Sequence, residues 1–420
     1  MSSLVHAPSD EAQTAAWPRA PLLLCASSSR TGPVEGLIAL AVHLRAQGID
    51  ARFGGDTVRP GEDLSGHLAR AGVPLVEALR LSRKVRPGDL IHDARTLTAW
   101  VREGTPDLIQ CAFAHDHALA LWAARRSGPA RQRLRIVREA HRRVDVSPGR
   151  LGVRRRLLGA SDGVIVRCEV YRDALVAQGL DPRRVAAIPG SVESSLFTPG
   201  RTPEAHRLRA RWGIPENCVL IGMVARMKPE RLQTRLVDEF YRALHDSPDA
   251  HLVLVGRGED EEALRGLAQR LAPERIRFGG YLRGPDLVDA YRALDVAVWL
   301  REGNDGACRG VLEAMACGVP LIVGNDGAPP ELVAGSRADP CPRACGRVVD
   351  PLLPGALAKA IVELAGDQSL RTRLGKAARE RALRFTSARA GEATLAFWRS
   401  LGDLPPVGAT VGLGGPVRAP

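Results

Sequence analysis

LREGNDGACRGVLEAMACGVPLIVGNDGAPPELV, residues Leu300 to Val333, opens the reading of this chain. Gly306 to Cys317 has the composition of a helix, with Asp305 placed to cap its start, Gly318 suited to the left-handed position after its end, and Pro320 barring any continuation. The apolar run PLIVGN (320–325) follows at once and reads as a strand, as does DVAVWL (295–300) before it. Strand, helix and strand in this order form a parallel crossover unit. The first amide N–H groups of such a helix, with the positive end of its dipole, face the crevice outside the carboxyl ends of the strands. The segment therefore predicts an anion or nucleotide seat.

The same alternation runs outward in both directions. In the second half it passes through CVLIGMVA (218–225), HLVLVG (251–256) and RIRFGGY (275–281), and it ends at GRVVD (346–350). In the first half it comprises PLLLCAS (21–27), the helix-periodic LIALAVHLRAQG (37–48), DARFGG (50–55), a helical GEDLSGHLARAG (61–72), the short VPLVEAL (73–79) and a helix around LTAWVREG (97–104). DLIQCAF (107–113), LRIVREA (134–140), a basic helix over 150–158, DGVIVRC (162–168), the helix VYRDALVAQG (170–179) and VAAIPGS (185–191) complete it. Strands alternating with helices imply parallel sheets covered on both faces.

The expected architecture is two α/β, Rossmann-like domains joined near residue 200, over 21–200 and 201–385, with a cleft between them. The helices after Ala356 have no strand behind them, so the last one, 386–402, is free to cross back onto the first half. Residues 1–20 and the Pro/Gly-rich 403–420 read as loose tails. A length of 420 residues suits two cores rather than one.

A hydrophobic share of 45% with 25% charged residues is that of a globular chain, and no apolar run reaches the length needed to span a bilayer. The first twenty residues lack a basic start followed by an apolar stretch, so the expectation is a cytoplasmic chain. Eight scattered cysteines read as reduced thiols; Cys341 and Cys345 have no second ligand pair at zinc-site spacing. The net charge of +12 favours anionic partners. An aromatic share of 4% and the lack of a basic stripe argue against nucleic acid. The cluster Arg154, Arg155, Arg156 reads either as a solvated helix face or as a contact with the anionic inner face of a membrane.

Asp305 and Glu313 stand eight residues apart, with LEAMACGVP and GAPPELV around and after them. This pattern resembles the acid-x7-acid signature of retaining glycosyltransferases of the GT-B fold, family 4, in which the first acid is usually glutamate. The resemblance implies that Asp305 contacts the donor sugar, with Glu302 nearby, and that Glu313 binds the nucleotide ribose. A carboxylate suits a ribose diol because it accepts from both hydroxyls. Eight helical residues span about 12 Å, beyond the roughly 5–9.5 Å of a glycosidase pair. LIGMVARMKPER (220–231) is similar to the family's strand end, where an arginine and a second cation five residues on hold the diphosphate; these are Arg226 and Arg231, with Lys228 between them. Gly256 and Gly258, in HLVLVGRGED, match a turn that lines the nucleotide site, and Gly306 belongs to the same seat.

In the first half, His141 of IVREAHRR stands where the family carries a histidine facing the donor sugar. His115 and His117 follow another strand end and are expected on the acceptor side, as are Thr31 and Gly32 in the first turn. The resemblance covers residues 21 to about 401. It implies transfer of a sugar from a nucleotide-linked donor to a glycan, glycolipid or small-molecule hydroxyl, with no metal and no cofactor. A sugar-nucleotide 2-epimerase on the same scaffold and a non-catalytic nucleotide-sugar-binding subunit are the alternatives.

Overall fold

The computed structural model describes residues 17–27, 32–57, 64–81, 86–140, 143–147, 151–301 and 308–407. Among them are two six-stranded sheets, parallel throughout. The first comprises β1 (Pro21–Cys25), β2 (Arg52–Gly55), β3 (Leu108–Cys111), β4 (Arg135–Glu139), β5 (Gly163–Val166) and β6 (Val185–Ala187), in the order β2-β1-β3-β4-β5-β6. The second comprises β7 (Leu220–Val224), β8 (His251–Val255), β9 (Ile276–Gly280), β10 (Val296–Trp299), β11 (Leu321–Gly324) and β12 (Gly346–Val349), in the order β12-β11-β10-β7-β8-β9. This is the two-domain α/β arrangement of the GT-B fold.

Strands such as PLLLC and HLVLV are buried at every position, as helices on both faces require. Strand order then places the crevices. In the second sheet the chain leaves β7 toward β8 and β9, but returns on the other side of β7 with β10. The switch point therefore lies between the ends of β7 and β10, bordered by loop 225–232 and by the residues that directly follow β10, Leu300 and Arg301. In the first sheet the switch lies between β1 and β3.

Several elements differ from expectation. VPLVEAL forms no strand; it makes one isolated bridge, Phe53 to Leu75, beside Pro74, which has no N–H to extend a ladder. The stretch expected as linker contains the helix Pro203–Arg211, because Thr202 accepts from the Ala205 N–H at 3.1 Å and Pro203 fits the first helical turn. Its Arg209 is buried and donates to the carbonyls of Ala293 (2.9 Å) and Cys218 (2.7 Å), tying this helix to the second half.

The terminal helix Ser387–Gly402 packs on helix Gly32–Ala46 of the first half, with Gly391 against the His43 ring. Trp398 is fully buried and donates its indole N–H to Gln110 Oε1 at 3.0 Å. The segment behind it is tied down as far as Val407. Arg135 donates to the Leu404 carbonyl (2.8 Å), Arg184 to that of Pro405 (2.7 Å), and the Val407 N–H reaches Asp162 (2.8 Å). At the other end, Asp107 accepts from the N–H groups of Arg19 (2.6 Å) and Ala20 (3.1 Å), so the expected N-terminal tail is also held at its last residues.

The halves meet through polar contacts as well. Glu331, on helix Ala328–Ala334, accepts from the N–H groups of Glu169 and Val170, both at 2.9 Å, at the start of helix Glu169–Ala177. Arg337 reaches Asp173 at 3.1 Å, and Arg143 pairs with Asp326.

Candidate active site

A cleft of about 740 Å³ opens at the second sheet's switch point. Arg226, Gly256 and Glu313 line it from the second half, and Glu35 and Glu193 line it from the opposite side. A smaller cavity of about 190 Å³ continues toward the first sheet, past Gly32, Gln110, Glu139 and Arg167. Glu35, Glu193 and Arg309 border both cavities, so the two form one space.

The helix below the cleft spans Arg309–Ala316, not Gly306 to Cys317. Its flanking residue is Cys308 at φ 48° and ψ 42°, and that left-handed turn starts the helix directly. Gly318 does end it, at φ +71°. Gly310 lets the helix lie on β10, because a Cβ there would overlap the Trp299 indole. Asp305, Gly306, Glu302, His141 and Thr31 lie outside the described residues.

Glu313 is 6% exposed and faces the cleft. Its Oε2 accepts from the Tyr291 hydroxyl at 2.8 Å, and its Oε1 lies 3.4 Å from Nη2 of Arg309, one helical turn back. Burial, and then the Glu313 charge, push the Tyr291 hydroxyl well above the usual tyrosine range, so it remains a donor.

The three cations expected around the diphosphate separate. Arg226 is exposed, lines the cleft and, among the described residues, makes no side-chain hydrogen bond or ion pair. Lys228 pairs with Glu259 at 3.5 Å. Arg231 does not line the cleft: its guanidinium lies 5.1 Å from the centre of the Trp299 ring and donates to the Arg301 carbonyl at 3.3 Å. Three arginines that the sequence did not single out, Arg257, Arg283 and Arg309, do line it. Only Arg309 carried a signal in the sequence, through its position four residues before Glu313 on one helix face.

Gly256 and Gly258 lie at the expected turn, for a different reason. A Cβ at either would run into the carbonyl of Ala225 or Met227, because the turn after β8 lies flat against the one after β7. Gly256 also adopts φ +142°. Backbone against backbone demands these glycines, and Gly256 also lines the cleft.

On the first-half side, Gly32 begins helix Gly32–Ala46 and lines the smaller cavity. Beside it, Glu139 accepts from Arg167 at 2.7 Å and from the Gln110 amide, which links the cavity wall to Trp398. His117 departs from its acceptor-side expectation. It is buried, hydrogen-bonds to Ser161 Oγ at 2.7 Å and borders neither cavity; burial lowers it to about 3, so it is a neutral core residue. His115 also borders neither cavity. It contacts Asp116 at 3.5 Å, and that hydrogen bond raises it above the ordinary histidine value.

Among the described residues no group of three or more His, Cys, Asp or Glu side chains could hold a metal ion, and no helix is long and apolar enough to cross a membrane. None of the eight cysteines, all of them among the described residues, is in a disulfide, and Cys341 and Cys345 each donate to a nearby carbonyl.

The chain is similar to known proteins along most of its length. The model for glycosyl transferases group 1 matches residues 204–381, and that for Glycosyltransferase Family 4 matches 31–196. A GDP-mannose-dependent monoacylated alpha-(1-6)-phosphatidylinositol monomannoside mannosyltransferase of Corynebacterium glutamicum is 29% identical over 46% of this chain and 50% of its own length. A D-inositol 3-phosphate glycosyltransferase of Corynebacterium efficiens is 27% identical over 78% of this chain and 74% of its own. The chain spans about half the length of the first of these relatives. Among solved structures, Anabaena Alr3699/HepE in complex with UDP and glucose superposes with a TM-score of 0.71, at 20% identity, over 90% of this chain and 98% of that one. With one family model on each half, in chain order, and a shared fold beneath both, this chain belongs to the GT-B glycosyltransferases of family 4, group 1.

Proposed function

We propose that the chain is a retaining glycosyltransferase that moves a sugar from a nucleotide-linked donor to an acceptor hydroxyl in glycan or glycolipid synthesis. One observation carries this reading: a buried carboxylate, Glu313, and a guanidinium with no partner among the described residues, Arg226, face one cleft at a topological switch point. Relatives that use GDP-mannose or act on inositol 3-phosphate, and a fold neighbour that holds UDP and glucose, support a nucleotide-sugar donor and a polyol or lipid-linked acceptor.

Glu313 would take the ribose hydroxyls with its remaining acceptor capacity, while Tyr291 fixes its orientation. Arg226 would neutralise the diphosphate as the glycosyl bond breaks, aided by the first amides of helix Arg309–Ala316. Asp305 would hold sugar hydroxyls, and His141 would face the reacting sugar. The acceptor would enter through the smaller cavity beside Gly32. The arginines and amides already supply the positive charge, so a divalent ion is not needed in this scheme. The cavity beside Arg155, Arg156 and Arg184 supports a peripheral contact with an anionic membrane.

A thermal-shift screen of UDP- and GDP-sugars tests the reading. A donor at 100 times its dissociation constant adds about 2.7 kcal/mol. Product whose formation depends on acceptor, with the donor's anomeric configuration by NMR, is expected. Turnover without acceptor would indicate an epimerase, and binding without turnover a binding subunit.

A further inference from the structure

We infer that Arg309 is the second cation that meets the departing diphosphate, the place that spacing along the chain assigns to Arg231. This rests on the glycosyl-transfer reading and adds a catalytic residue to it.

Four observations carry the inference. Arg231 is committed elsewhere: its guanidinium covers the Trp299 ring and binds the Arg301 carbonyl, outside the cleft lining. Arg309 borders both the donor cleft and the smaller cavity, as neither Arg257 nor Arg283 does; Arg283 lies over the Tyr281 ring, 5.4 Å from its centre. Arg309 alone among the lining arginines of the second half therefore stands where donor and acceptor meet. Its side chain is 41% exposed and pairs with Glu313 at 3.4 Å, a long contact that a ribose hydroxyl would displace. Finally, it is the first residue of its helix, where the positive end of the dipole disfavours a cation. The long pair with Glu313 offsets little of that conflict, whereas an anion in front of the arginine offsets it directly.

The step balances as follows. The bond between the sugar's anomeric carbon and the diphosphate oxygen breaks, and that oxygen keeps the electron pair. The acceptor oxygen bonds to the same carbon, and its proton passes to the departing diphosphate. Ribose binding to Glu313 frees the Arg309 guanidinium to face the diphosphate before the glycosyl bond breaks, so it is in place when the new negative charge develops.

The test uses the full-length chain and the variants Arg309→Gln, Arg309→Lys and Arg231→Gln, with UDP, GDP and the matching monophosphates as ligands. For the base that wild type prefers, Arg309→Gln should weaken diphosphate binding by roughly 10-fold or more, and leave monophosphate binding within about 2-fold. With the matching nucleotide sugar its kcat should fall by roughly 100-fold, with partial recovery in Arg309→Lys. Its Tm should equal or exceed that of wild type, because the dipole conflict is removed. Arg231→Gln should lower Tm while retaining kcat to within about 10-fold. Wild-type diphosphate binding and turnover in Arg309→Gln would overturn the inference, and so would equal loss of mono- and diphosphate binding together with a lower Tm. Failure of wild type to bind any of these nucleotides would instead sink the glycosyl-transfer reading itself.

Discussion

The Tyr291 hydroxyl donates to Glu313 Oε2 across 2.8 Å, inside the wall of the cleft. Tyr291→Phe removes that donor and leaves a buried carboxylate oxygen short of a partner, at a cost of about 1–3 kcal/mol. The expected outcome is a lower urea midpoint and weaker donor binding, both from one missing oxygen. Calorimetric titration of the preferred nucleotide sugar checks the second part; an unchanged affinity would separate Glu313 from the ribose.

The Arg226 guanidinium has no partner among the described residues, so its removal isolates chemistry from stability. Arg226→Ala is expected to keep the wild-type Tm and to lose roughly 100-fold in kcat. In the same assay, chelator should leave the wild-type rate unchanged. A rate that falls in EDTA and returns with magnesium would contradict metal independence.

His117 makes stability depend on pH. Its folded value is lowered from 6.5 to about 3 by burial, so between those values the unfolded chain binds a proton that the folded chain refuses. The stability this residue contributes is present above 6.5 and is lost as pH falls, at about 1.4 kcal/mol per pH unit. Urea midpoints measured at neutral and acidic pH should diverge less in His117→Gln than in wild type.

Glu331 works in the opposite sense. Burial raises it above the ordinary 4.5, while hydrogen bonds from Glu169 and Val170 oppose the shift. The fold favours its neutral form, so its contribution is full below 4.5 and is lost as pH rises through the raised value. Relative to Glu331→Gln, wild type should lose stability as pH rises above 4.5. A difference that is flat across this range would show that the carboxyl titrates alike folded and unfolded.

Much of the fold was legible because parallel strands buried on both faces read as continuous apolar runs, PLLLC and HLVLV among them. Their order in the sheets was not, since apolar runs carry no record of which neighbour they join. At the site, the residue types and turns were legible, but the partners that claim a side chain were not. Spacing put Arg231 beside Arg226, yet nothing in LIGMVARMKPER reveals that Trp299, far along the chain, takes its guanidinium. His117 failed for a related reason: a histidine at i+2 from another lies on a different helix face, here the buried one. The junction near residue 200 runs directly into a helix start at Thr202 and Pro203.

Gln110 meets Trp398 across a sequence separation of 288 residues. During synthesis, at about 5–20 residues per second, the first sheet would therefore wait roughly 15–60 s for the indole that closes its core. Over that interval the nascent amino-terminal half carries an open apolar seam between β1, β3 and helix Gly32–Ala46, a natural holding point for a chaperone. A stop codon before Ser387 removes the plug for good, so clipped products should precipitate even though every strand is present.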